Sequence, residues 1–207
     1  NADHPRVVDL SRVLDDVIAA HDAARQTAPA RFRPWTPRAM GDVSHLDALA
    51  YSAVARGTVR TLLDEGIAAE GPIHGVRLAK RVANAFGLAR VAQTRIDSIL
   101  EVGRGRPDMH GFYWPNGVDP QTWKEFRRDP SQDRLLDHIS PLEIANAMRE
   151  IAQMSGGITL DELKKEASEI FGFKRLTAGF SDTMDLALSV GLKAGRLRWE
   201  GKLLFAA

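Results

Sequence analysis

Two stretches of this chain, 85 residues apart, align without a gap. The first, PIHGVRLAKRVANAFGLAR, runs from Pro72 to Arg90; the second, GITLDELKKEASEIFGFKR, runs from Gly157 to Arg175. Ile73 falls on Ile158, Leu78 on Leu163, Lys80 on Lys165, Phe86 on Phe171, Gly87 on Gly172 and Arg90 on Arg175. Each copy supplies a short apolar lead-in, an amphipathic helix, a Phe-Gly stop and a basic residue leading into another helix. That order is the helix-turn-helix plan. It predicts a mainly α fold with small β-hairpins, built as two tandem winged-helix-like units behind an N-terminal helical extension.

The pattern outside the repeat sets the boundaries. Val7, Leu10, Val13, Leu14, Val17 and Ile18 mark an amphipathic helix over Val7–Ala24, and three prolines between Thr27 and Pro37 make an extended connector. Residues 1–43 therefore form an extension. The first unit covers 44–118, with a helix capped by Ser44, interrupted near Gly57 and ended by Gly66 or Gly71. Its repeat helix follows, then a helix over about Val91–Val102, and the aromatic run Phe112-Tyr113-Trp114, expected to pack on the unit's own helices. Residues 119–139 resemble a linker with a short helix near Gln121–Arg127. In the second unit, 140–207, Ser140-Pro141-Leu142-Glu143 opens a helix, Thr159 caps the repeat helix, and a third helix spans about Thr177–Gly191. The close of the chain, Arg196–Trp199 and Lys202–Phe205 around Glu200-Gly201, is a hairpin signal and takes the place of a wing.

Charge points to the class of partner. The net balance is only +1, yet residues 72–106 carry seven cations (Arg77, Lys80, Arg81, Arg90, Arg95, Arg104, Arg106) against Asp97 and Glu101. A local basic excess on a helix-turn-helix is the electrostatic footprint of a phosphate-binding face, although a solvated helix face gives the same count. In such a unit the last helix presents its exposed side to DNA while flanking groups grip phosphates. The candidate nucleic-acid contacts of the first unit are Arg77, Arg81, Arg90, Gln93, Thr94, Arg95, Arg104 and Arg106. The second unit offers Lys174, Arg175, Arg196, Arg198 and Lys202, but Asp182 and Asp185 on its last helix oppose a polyanion.

Catalytic signals are missing. There is no P-loop, no G-x-S-x-G and no cysteine, and the six histidines are scattered without metal spacing. The expectation is a non-catalytic chain with no cofactor and no metal. The absence of cysteine fits a cytoplasmic protein, and no apolar run reaches membrane-spanning length. The chain opens on Asn1 without methionine, and Asn1-Ala2 has the look of a scar from tag removal on an excised fragment.

The motifs EGPIHGVRLAKRVANAFGLARV, GFYWP, SPLEIANAMREI and GGITLDELKKEASEIFGFKRL together resemble a bacterial domain of unknown function that ends very large helicase-like proteins. The resemblance covers about Glu70 to Phe205. It implies a module following a superfamily 1 helicase core and a nuclease-like segment of the very-short-patch-repair or restriction-endonuclease type. The expected partners are DNA and those upstream domains of the same polypeptide. The competing expectation is a docking module that uses the same folds for packing, without touching nucleic acid.

Overall fold

In the first copy of the repeat, Ile73 pairs with a strand far downstream; in the second, Ile158 does the same. The computed structural model describes residues 29–173 and 178–207. The helix expected at Val7–Ala24 lies outside the described residues, as do Lys174 and Arg175. Arg31–Ala207 folds as one compact unit. Its described elements are α1 (Ser44–Asp47), a 3-10 turn (Ala48–Ala50), α2 (Ala53–Glu70), β1 (Ile73–His74), α3 (Gly75–Asn84), α4 (Gln93–Glu101) and β2 (Phe112–Tyr113). A second 3-10 turn (Leu136–His138) leads to α5 (Pro141–Ser155), α6 (Leu160–Ile170), α7 (Ala178–Lys193), β3 (Leu197–Glu200) and β4 (Leu203–Ala206). The fold is mainly α, with two small antiparallel strand pairs.

The repeat is a repeat of structure. Leu78 and Leu163 are both wholly buried, as are Phe86 and Phe171, whereas neither Lys80 nor Lys165 enters the core. Gly87 and Gly172 adopt φ of +75° and +80°, the left-handed conformation that stops a helix and that glycine takes without a Cβ penalty. Ile73 pairs antiparallel with Tyr113 of β2, and Ile158 bridges Leu204 of β4 with both backbone hydrogen bonds, 3.0 and 2.8 Å. The order helix, β-pairing residue, helix, helix, strand therefore recurs, with an isolated bridge at Ile158 in the place of β1. The units differ at the end: β3 and β4 form a hairpin from Leu197↔Ala206 to Glu200↔Leu203, whereas a loop precedes β2 in the first unit.

Several boundaries move. The break expected at Gly57 falls at Tyr51-Ser52, where the Ser52 hydroxyl accepts from Ala55 N at 3.2 Å and caps α2; Gly57 lies inside the helix. Gly66 is also internal and buried, because a Cβ there would come within 2.6 Å of Leu78 and 2.8 Å of Trp35. Ser44 bonds Asp42 instead of capping, and Val43 occupies the cap of α1. No helix forms at Gln121–Arg127. The aromatic run packs as expected: Phe112 and Tyr113 are buried, and Trp114 meets Trp123 edge to face at 5.3 Å.

Each unit buries its own apolar cluster. One gathers Leu46, Val59, Leu62, Leu78, Val82, Phe86 and Ile99 with Tyr113. The other gathers Ile144, Met148, Leu163, Phe171, Met184, Leu197 and Leu204 with Phe126. Charges join the two. Glu143, in the first turn of α5, is fully buried and takes hydrogen bonds from Arg127 Nη2 at 2.7 Å and Arg134 Nη1 at 2.9 Å. Arg127 also donates to the carbonyls of Glu70 at 2.6 Å and Pro72 at 3.2 Å, which ties the end of α2 to the start of α5. Arg134, 1% exposed, donates to Asp129 and lies 4.0 Å from the centre of the buried Phe32 ring. The segment expected to be a linker thus carries the joint between the units.

Candidate nucleic-acid interface

The predicted cations among the described residues sort by burial and pairing. Two arginines are built into the fold. Arg77 projects from α3 into the joint, where Nε donates to Glu70 and Nη1 to the Asp133 carbonyl at 2.7 Å; it is 7% exposed. Arg196, 3% exposed, donates through Nη2 to the carbonyls of Pro120 and Gln121 at 3.1 and 3.2 Å. Burial, followed by the nearby Arg149, lowers its pKa from the ordinary arginine value. Both are buried in internal contacts, so neither stands on the exposed helix-turn-helix face expected from the sequence. Arg77 lies on the buried side of α3 and Arg196 in the bend before β3, and acceptors distant in sequence make their burial tolerable.

Two further arginines are held at the surface by neighbours. Arg95 pairs with Asp47, which ties α4 to α1. Arg198 on β3 pairs with Glu200 at 2.7 Å, donates to the Ala206 carbonyl and lies 5.6 Å from the Phe205 ring. On α7, Asp185 pairs with Lys164 at 2.7 Å, and the Lys164 and Ser181 hydrogen bonds keep its carboxyl below the usual carboxylate range. Lys202 is exposed in the β3–β4 turn. Lys202 makes no ion pair with another described residue, and neither do the exposed Lys165 and Lys193, which are not among the expected contacts.

Arg90, Arg104 and Arg106 are exposed, and none makes an ion pair with another described residue. They bracket α4: Arg90 precedes its first turn and Arg104 and Arg106 follow its last. A helix of 9 residues is roughly 13 Å long at 1.5 Å per residue, about four base-pair steps of duplex. Gln93 and Thr94 are exposed at the N-terminal end, where free backbone N–H groups and the helix dipole favour an anion. Gln93 donates to Asp97 at 2.8 Å, and Asp97 and Glu101 are exposed on the same helix. The exposed side of α4 thus carries carboxylates between basic flanks, an arrangement suited to holding a backbone and poorly suited to reading bases.

The loop after α4 is braced from within. Asp108 accepts from His110 N at 2.9 Å and Phe112 N at 3.0 Å, and its second oxygen accepts from Trp114 Nε1 at 2.8 Å. Its own N–H donates to the Phe112 carbonyl at 2.8 Å. Arg104 and Arg106 therefore stand beside a fixed scaffold, and Met109 at the tip is 91% exposed.

Arg81 belongs to a separate place. It lines, with Arg77, Lys80, Asn84, Gln132, Asp133, Leu135 and His138, a cavity of about 230 Å³ between α3 and the segment before α5. Burial, then the adjacent Arg77, lowers its pKa from the ordinary arginine value. His74, at the cap of α3, makes no capping bond; its ring stacks on His138 at 5.1 Å. Lys80, Asn84 and His138 are not among the site residues expected from sequence. The available signal was the spacing of Arg77, Lys80, Arg81 and Asn84, which places all four on one helix face.

Among the described residues, no helix is long and apolar enough to cross a membrane. No curated protein and no solved structure matches the chain. Residues 49–97, from the turn before α2 into α4, match a family described as Protein of unknown function (DUF3320).

Proposed function

We propose that this chain is a non-catalytic nucleic-acid-binding module that grips a phosphate backbone through Arg90, Arg104 and Arg106 at the two ends of α4. The observation that carries this reading is the sorting of arginines. Arg77 and Arg196 in the core donate to internal carbonyls, while those bracketing the last helix of the first unit are left in solvent. Supporting it, the recurring order of helix, β-pairing residue, helix, helix and strand is compatible with a winged-helix plan, in which this helix and the following loop meet DNA. The acidic residues along α4 favour backbone contact over sequence readout. The motif resemblance supports a setting in which DNA is held for an attached helicase or nuclease.

Gel shifts with single-stranded and duplex DNA test this. Replacing Arg90, Arg104 and Arg106 together by Glu is expected to lower affinity by at least about a hundredfold, since three phosphate contacts become repulsions. Unchanged affinity sinks the reading. A docking role has its own supporting observation: Tyr51 and Val54, at the start of α2, are 79% and 75% exposed. Wild-type protein that shifts no DNA, but loses a protein partner when Tyr51 and Val54 become Ser, establishes that alternative.

A further inference from the structure

Arg77 leaves one nitrogen unused. Its Nε and Nη1 are engaged, but Nη2 is buried with no hydrogen-bond partner among the described residues. An unpaired donor of a charged group is costly to bury. Arg77 lines the cavity of about 230 Å³ beside α3, and the next residues on the same face of that helix, Lys80 and Arg81, line it too. Asn84, one further turn along, adds an amide. The volume is enough for several water-sized groups at roughly 30 Å³ each.

We propose that this cavity binds a phosphate-type oxyanion, held by Lys80 and Arg81 above the buried Arg77, with Asn84 and His138 at its edge. The charges facing the cavity favour such a guest. Three cations stand against one carboxylate in the wall, Asp133; Glu70 is committed to Arg77 and the Trp35 backbone. Burial holds the His138 imidazole down to about 4, and His74, Arg77 and Lys80 add to this against the pull of Asp137. A tetrahedral oxyanion offers several acceptors to converging donors and neutralises part of the excess charge. The site sits between α3 and the joint and uses other residues than the arginines that bracket α4.

Calorimetric titration of sodium phosphate into the full chain, against sodium chloride of equal ionic strength, tests the proposal. Saturable binding at one site per chain is expected, weakened about tenfold or more in Lys80→Ala and in Arg81→Ala, the scale of a missing charge-assisted hydrogen bond. Asp133→Asn is expected to tighten binding roughly threefold, the scale of one exposed charge. Absence of saturable heat, or equal affinity in all variants, overturns the proposal. Should either alanine variant unfold, Asp133→Asn decides alone: tighter binding supports the site and unchanged binding overturns it. The source of the oxyanion is read from DNA binding at constant ionic strength. Displacement of DNA by phosphate assigns the cavity to a backbone phosphate, and phosphate binding without displacement assigns it to a free phosphate or phosphate ester.

Discussion

Glu143 is the residue on which most buried charge converges. Burial alone raises a carboxyl pKa, yet Arg127 and Arg134 outweigh it and hold this group below its ordinary value. Its folded pKa therefore lies below the unfolded one. Its contribution is present above the unfolded value and is lost as pH falls through the folded one. Glu143→Ala removes the carboxylate and strands two guanidinium groups; a loss of about 3–5 kcal/mol in urea denaturation at neutral pH is expected. A loss under about 1 kcal/mol would show that the joint is not held by these charges. His138 acts in the same direction at higher pH. Its imidazole is depressed from 6.5 to about 4, so the unfolded chain takes up the proton first and stability falls as pH drops between those values. Denaturation midpoints measured from neutral pH down to about 4 should decline, and His138→Asn should flatten that decline.

At the scale of elements, the two helix stops make a controlled comparison. Gly87 and Gly172 share a left-handed backbone, so alanine strains both by about 1–2 kcal/mol. A Cβ on Gly87 meets nothing within 4 Å, whereas on Gly172 it meets the Asp129 carbonyl at 2.8 Å. Gly172→Ala is expected to cost at least about 1 kcal/mol more than Gly87→Ala, because the joint must move to admit the methyl. Equal losses would mean the close approach is relieved at no cost. The helix starts differ as well. Thr159 and Glu162 form a reciprocal capping box on α6, while His74 gives α3 no side-chain cap. Thr159→Ala should lower stability by about 1 kcal/mol, read from the same denaturation curves.

For the whole molecule, what could be read in advance was local. The repeat, the Phe-Gly stops, Ser140-Pro141, Thr159 and the final hairpin all signal through neighbours a few residues away, and all stand where expected. The joint did not signal. Arg127 and Arg134 lie in a stretch without helical period, and their partners Glu70 and Glu143 are identified only by the fold. The burial of Arg77 and Arg196 gives no local signal for the same reason: a cation on a basic stretch looks available until a distant acceptor is known. The basic segment itself was legible in the sequence; which of its cations the fold consumes was not.

The sorting of arginines into structural and free sets is tested most directly by the salt dependence of DNA binding. Fluorescence anisotropy of a labelled duplex, followed from about 50 to about 200 mM salt, yields the slope of log affinity against log salt. Replacing Arg90, Arg104 and Arg106 by Ala should flatten that slope by about 2–3, near 0.9 for each phosphate no longer neutralised, with the urea midpoint unchanged. Parallel slopes for the wild type and the triple variant would contradict the account, because free cations at the ends of α4 would then touch no phosphate.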